Sequence, residues 1–177
     1  MAPGELSGWL SVEQEEPVVS QSSPQSVAAV EQHDKAVVRR AYEQGMNRRD
    51  MGVVDEVFAP DYVAYFRGEP PIGGRDEFKV SLGAFFEAFD DLVFTVEDAI
   101  AEGDRVAVRW TATGIHAGEY RGIPPTLRVP STGRRLTFTA GDLYRLEGGL
   151  IVEEWNTLDQ LELLYQMGAV EIVATRR

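Results

Sequence analysis

The chain has 177 residues, 44% of them hydrophobic, no cysteine and a formal net charge of −12. That length suits one domain with an appendage. The acidic balance speaks against nucleic-acid or anionic-membrane partners, which need a basic surface, and the missing cysteine excludes disulfides and thiolate sites and fits a cytoplasmic protein.

Residues 1–33 hold five glutamates, no Lys or Arg, and the polar run "SQSSPQS". Such a segment buries too little apolar surface to offset its ordering entropy, so it is expected to be a disordered tail. Trp9 and Leu10 are its candidates for docking elsewhere. There is no basic start leading into an apolar stretch, so no secretory signal is expected. No apolar run is long enough to span a bilayer.

The globular domain is expected over residues 34–171, with 172–177 as a short C-terminal tail. "DKAVVRRAYEQGMNRRD" predicts a helix with Val38, Ala41, Tyr42 and Met46 on one side. "DMGVVDEVFAPD" predicts a short second helix ended by Pro60, followed by a strand at "YVAYF" and a loop at "RGEPPIGG". "RDEFKVSLGAFFEAFDD" predicts a third helix with Phe78, Leu82, Phe85, Phe86 and Phe89 as its apolar stripe.

Beyond Asp91 the period becomes two. "LVFTVEDAI" places Leu92, Phe94 and Val96 on one face, and "DRVAVRWTATGIH" places Val106, Val108, Trp110, Ala112, Gly114 and His116 on one face. A long Gly/Pro-rich loop follows from Ala117 to Gly133. "RRLTFTAGDLYRLE" is the next strand, then an "EGG" turn, then "LIVEEWN" as the last strand. "LDQLELLYQMGAV" predicts a terminal helix with Gly168 near its C-cap. Helices followed by an antiparallel meander imply an α+β fold, with three N-terminal helices packed on a curved, mainly antiparallel sheet around a conical cavity.

Asp142 stands out. It shares its strand face with Leu136, Phe138, Ala140, Tyr144 and Leu146, so a carboxylate points toward an apolar interior. Burial raises a carboxyl pKa and readies the group for acid/base work. The structural alternative is an ion pair with Arg109, or a hydrogen bond at a strand bulge beside Gly141. His116 ends the apolar face of its own strand and is expected to look into the same cavity as a proton relay or donor. Tyr42, Tyr65, Phe86, Trp110, Tyr144 and Trp155 are candidates for an aromatic pocket around a flat or polycyclic ligand. Glu153, Glu154, Asn156 and Asp159 cluster at the last strand, where neither face is cleanly apolar, so the pattern does not say which point inward. Two widely spaced histidines make a zinc site unexpected. There is no phosphate-binding loop, nucleophile elbow or dinucleotide fingerprint. Catalysis without metal or cofactor is the expectation.

Three segments, "AYEQGMNRRDMGVVDEVFAPDYVAY", "GIHAGEYRGIPPT" and "GDLYRLEGGLIVEEWNTLDQLELLYQMG", resemble the SnoaL-like polyketide cyclase family of the NTF2-like superfamily. The resemblance runs from about Lys35 to Val170. It implies a cone-shaped α+β barrel, a homodimer formed through the outer sheet face, and a cofactor-free site that closes a ring of a polyketide intermediate by an aldol step. The acid/base residue it implies falls on Asp142, and the histidine at the loop edge on His116. Asn156, in the matching "EEWN", joins the substrate-binding candidates. The chain departs from the family pattern at Tyr65, where a histidine is common, and at "PPTLRVPSTGR", which carries an insertion after Thr126. Epoxide-opening cyclisation or hydrolysis is the second reading, with Glu154 or Asp159 activating the nucleophile. A non-catalytic binding or dimerisation module is the third.

Overall fold

The computed structural model describes residues 24–122, 126–171 and 173. Helix α1 (Pro24–Arg40) runs directly into a π-helical turn, Ala41–Met46. The first helix therefore starts at Pro24 and not near Asp34, so residues 24–33 are helical where a disordered tail was expected. Side chains over residues 25–33 are almost all exposed, so this stretch forms a helix without needing an apolar face. Glu31 ties it down by accepting the Gly103 backbone N–H at 3.2 Å. The expectations for residues 1–23, Trp9 and Leu10 included, and for most of 172–177 lie outside the described residues.

Helix α2 (Met51–Val57) is capped by Asp50, which accepts from the N–H groups of Gly52 and Val53. It passes straight into β1 (Phe58–Phe66), so the helix ends before Pro60 and the strand starts before Tyr62. The next loop contributes a short strand, β2 (Ile72–Gly73), and α3 spans Arg75–Ala88. Then come β3 (Phe89–Glu102), β4 (Arg105–His116), the short β5 (Tyr120–Arg121) and β6 (Arg128–Val129), β7 (Arg135–Glu147), β8 (Leu150–Leu158) and α4 (Gln160–Met167). Gly168 closes α4 in the left-handed conformation, φ 76°, as a C-cap glycine does.

Six strands form one sheet in the order β2-β1-β8-β7-β4-β3, and β5 pairs with β6 in a separate ladder. All pairs are antiparallel except β1 with β8, which run parallel. The sheet is therefore mixed, not a pure meander. On β4 and β7 every even position from Val106 to His116 and from Leu136 to Leu146 is buried, and these residues face the helices across the core.

The last strand breaks this alternation. Arg145 pairs with Glu153, yet Leu146 pairs with Ile151, so β8 carries one more residue than β7 at this point. Val152 is the extra residue of a β-bulge, which changes the inside-outside parity of everything beyond it. Ile151 is inward before the bulge; after it, Glu154 is inward and buried while Trp155 turns out.

Candidate active site

A cavity of about 170 Å³ lies between the sheet and the helices. Its wall takes Tyr42 and Met46 from the π-turn, Phe78, Leu82 and Phe85 from α3, Phe94 and Trp110 from β3 and β4, and Glu154, Asn156 and Leu158 from β8. Glu69, Ser81 and Arg121 add polar groups to this largely apolar wall.

Asp142 sits just behind that wall, 5% exposed. Its Oδ2 accepts from the Tyr42 hydroxyl, from Trp110 Nε1–H at 2.6 Å and from the Tyr144 hydroxyl at 3.1 Å. Its Oδ1 accepts from the Asn156 side-chain amide at 2.6 Å. The hydroxyls of Tyr42 and Tyr144 are themselves 2.7 Å apart. Four donors from three strands and one helical turn thus converge on one carboxyl group, and none is charged. Burial raises the Asp142 pKa above its usual value, while the bonds from Tyr42, Trp110, Asn156 and Tyr144 oppose the rise. The phenols of Tyr42 and Tyr144 are held well above their ordinary range, first by burial and then by the negative charge of Asp142.

Arg109 is not the partner of Asp142. It lies on the opposite face of β4 and pairs with Asp98 at 2.6 Å, both largely exposed. No Lys or Arg reaches Asp142 among the described residues.

A second carboxyl group joins the site. Glu154 is 4% exposed, lines the cavity and accepts from the Tyr62 hydroxyl. Burial raises its pKa well above the carboxylate range, and the nearby charge of Asp142 adds to the rise. Sequence patterning left its direction open; the only signal was the acidic pair in "EEWN", and the bulge at Val152 decides which acid turns in. Asp159 turns out to be the exposed N-cap of α4, accepting from Glu162 N–H at 3.1 Å, and not a cavity group.

The remaining candidates divide. Tyr42, Trp110, Tyr144 and Asn156 gather around Asp142. Phe86 is buried but lies outside the cavity wall, with the Arg49 guanidinium 5.2 Å from its ring; its neighbour Phe85 lines the wall instead. Tyr65 and Trp155 lie on the outer sheet face, where their rings stack at 5.5 Å and 9°, because β1 and β8 pair these two residues in register beyond the bulge. His116 is fully buried at the far end of β4. Asp142 pairs with Val108, eight residues back along that strand, so the two candidates lie more than roughly 20 Å apart at about 3.3 Å per residue. His116 packs against Phe89 with ring centroids 5.8 Å apart, its Nδ1 is 3.0 Å from the Thr132 hydroxyl, and its Nε2 has no hydrogen-bond partner. Burial lowers its pKa, opposed by backbone near Gly118 and Val129. It is a packed neutral ring, not part of the Asp142 cluster.

The model of the SnoaL-like polyketide cyclases matches residues 36–167. The chain belongs to this family. IdmH, a candidate polyketide cyclase from Streptomyces antibioticus, is 31% identical with a TM-score of 0.63, over 76% of this chain and 98% of that one. AclR, a candidate hydroxylase from Streptomyces galilaeus, is 29% identical with a TM-score of 0.68, over 81% of this chain and 86% of that one. A candidate SnoaL-like cyclase from Jannaschia sp. CCS1 shares the fold at a TM-score of 0.72 and 24% identity, covering 85% of this chain and 99% of that one. No curated protein matches the chain. The NTF2-like α+β fold follows from these neighbours and from the sheet order above. Among the described residues no helix is long and apolar enough to cross a membrane, and no group of three or more His, Asp or Glu side chains is placed to hold a metal ion.

Proposed function

We propose that this protein closes a ring of a polyketide-type secondary metabolite by an intramolecular aldol step, with Asp142 and Tyr42 as its acid/base unit and no cofactor. One observation carries the reading: a buried carboxyl group with four neutral donors and, among the described residues, no counter-cation, three of those donors standing on the wall of an apolar cavity. The aromatic wall favours an apolar or polycyclic substrate and holds it folded, which raises the effective concentration of one reacting carbon at the other. Asp142 lies behind Tyr42, so a proton leaving an acidic C–H passes to the phenol oxygen while the phenol gives its own proton to Asp142. Trp110 and Asn156 keep the carboxylate oriented throughout.

The test is Asp142→Asn assayed with an aryl polyketone ester as probe substrate. The variant is expected to fold, and ring closure to fall by roughly 10²–10⁴-fold, the usual range for losing a general acid/base. A stable variant with wild-type turnover would overturn the reading. Epoxide opening is the second reading, favoured by one observation, the acidic Glu154 on the cavity wall. We further propose a cytoplasmic homodimer paired through the outer sheet face, where Val93 and Ile100 are half or more exposed.

A further inference from the structure

We propose that Glu154 is a second catalytic residue, which holds a proton at rest and delivers it to the substrate oxygen that becomes a hydroxyl. The assignment rests on the acid/base reading of Asp142 and deepens it.

Cross-strand pairing places the two acids. Asp142 pairs with Asn156 and Tyr144 with Glu154, so Asp142 and Glu154 are diagonal neighbours on one face of adjacent strands. Such neighbours lie roughly 7–8 Å apart at the backbone. The titratable groups that bear on Glu154 are Tyr62 of β1, Tyr42 of the π-turn, and Asp142 and Tyr144 of β7. None is a cation. Arg121, the cationic residue on the cavity wall, is engaged by Glu119 at 3.2 Å. Two buried carboxyl groups this close, with no positive charge beside them among the described residues, share a proton between them.

The hydrogen bonds decide which acid keeps it. Asp142 receives four donors and Glu154 receives one, from Tyr62. Donors stabilise the ionised form, so the charge rests on Asp142 and the proton on Glu154. The burial-raised pKa of Glu154 points the same way. Position completes the division of labour: the charged acid lies behind the wall and the protonated acid lies in it.

The step then balances. The substrate C–H proton moves through Tyr42 to Asp142. The released electron pair forms the new C–C bond to the second carbonyl carbon. That carbonyl's π pair moves onto its oxygen, which takes the proton of Glu154. The product is an isomer of the substrate. Asp142 ends protonated and Glu154 ionised, and return of the proton from Asp142 to Glu154 resets the pair.

Two measurements on the full chain test this. Infrared spectroscopy at neutral pH reads the C=O stretch of a protonated carboxyl group; the band is expected in the wild type and in Asp142→Asn, and absent in Glu154→Gln. A band lost in Asp142→Asn and kept in Glu154→Gln, or no band in the wild type, overturns the assignment. With the aryl polyketone ester, Glu154→Gln is expected to lower kcat by 10²-fold or more with KM within about twofold, and Glu154→Asp to recover part of the loss. Wild-type turnover by Glu154→Gln beside an inactive Asp142→Asn sinks the role of Glu154 alone. Wild-type turnover by both sinks the acid/base reading itself. Should Glu154→Gln fail to fold, Tyr62→Phe, which removes only the donor to Glu154, is expected to leave the band in place and shift its frequency; an unmoved band would count against Glu154 as its source.

Discussion

Trp110 and Tyr42 meet on a single oxygen of Asp142, one arriving along the sheet and the other from the helical layer above it. The indole comes from β4, beside the pairing of Val108 with Asp142, and the phenol from a π-turn that closes with Asn47 N–H on Tyr42 C=O at 2.9 Å. Such turns place one extra residue in a helix and recur at functional sites. Here the turn lowers Tyr42 onto the carboxylate from the side opposite the strands, so Asp142 is held with no cationic partner among the described residues.

That arrangement makes Tyr42→Phe informative. If the phenol relays the proton, turnover falls nearly as far as in Asp142→Asn, by roughly 10²-fold or more. If Asp142 takes the proton directly, the loss stays within about tenfold. In either case one donor to Asp142 is gone, so the acidic limb of the pH–rate profile is expected to move to higher pH. Stability is expected to drop by about 1 kcal/mol for the lost hydrogen bond.

His116 offers a contrast. His116→Ala removes a fully buried ring and is expected to cost about 2 kcal/mol or more in unfolding free energy. Turnover per folded molecule is expected to stay at the wild-type level, because the ring lies far from Asp142. The wild type also has a pH signature. A histidine with a lowered folded pKa stabilises fully above its unfolded value near 6.5, and this contribution is lost as pH falls through the folded pKa. Denaturant titrations of both proteins between pH 7 and pH 5 should converge if His116 is the group; parallel curves would assign the slope elsewhere.

Glu154 acts in the opposite sense. Its folded pKa is raised, so the folded state holds a proton that the unfolded chain releases above about 4.5. The stabilisation is present below that value and is lost as pH rises toward the folded pKa. Relative to Glu154→Gln, the wild type is therefore expected to lose stability across that window, at up to about 1.4 kcal/mol per pH unit. A difference curve that stays flat from pH 4 to pH 8 would mean that Glu154 ionises normally.

The outer face gives a negative control. Trp155→Ala breaks the stack with Tyr65 and the contact with the Arg105 guanidinium, 5.3 Å from the indole ring. A loss of about 1–2 kcal/mol in stability is expected, with kcat and KM unchanged. A tenfold rise in KM would put Trp155 in the substrate's path and contradict the placement of the two sheet faces.

Much of this site could be read from alternation alone. On β4 and β7 the two-residue period runs unbroken, and it placed Trp110, Asp142 and Tyr144 on the inner face. The heptad-like spacing of the first helix did the same for Tyr42. Alternation gives a direction but no distance, so it set His116 on the same face as Asp142 without revealing that eight residues of strand separate their levels. The parallel pairing of β1 with β8 was invisible because it joins segments far apart in the chain. The faces of β8 were invisible for a local reason: a bulge has no residue signature in "LIVEEWN", and one unpaired residue inverts every assignment after it. Trp155, a pocket candidate, lies on the outer face for that reason, and Glu154 faces the cavity.

The Val152 bulge also bears on how such a protein diverges. Val152 has no partner on β7, so the inward side chains of β8 do not depend on its presence. Losing one codon at Val152 would leave every cross-strand pair as it stands, Leu146 with Ile151, Arg145 with Glu153 and Tyr144 with Glu154, and would restore plain alternation. Glu154 and Asn156 would still face the cavity and Trp155 the outer sheet face, while the strand would lose the local bend and added twist of the bulge. Deleting Val152 is therefore expected to leave tryptophan emission near its wild-type wavelength; a shift to shorter wavelength would show Trp155 turned inward. At this one point β8 can gain or lose a residue and keep both acids of the site in place.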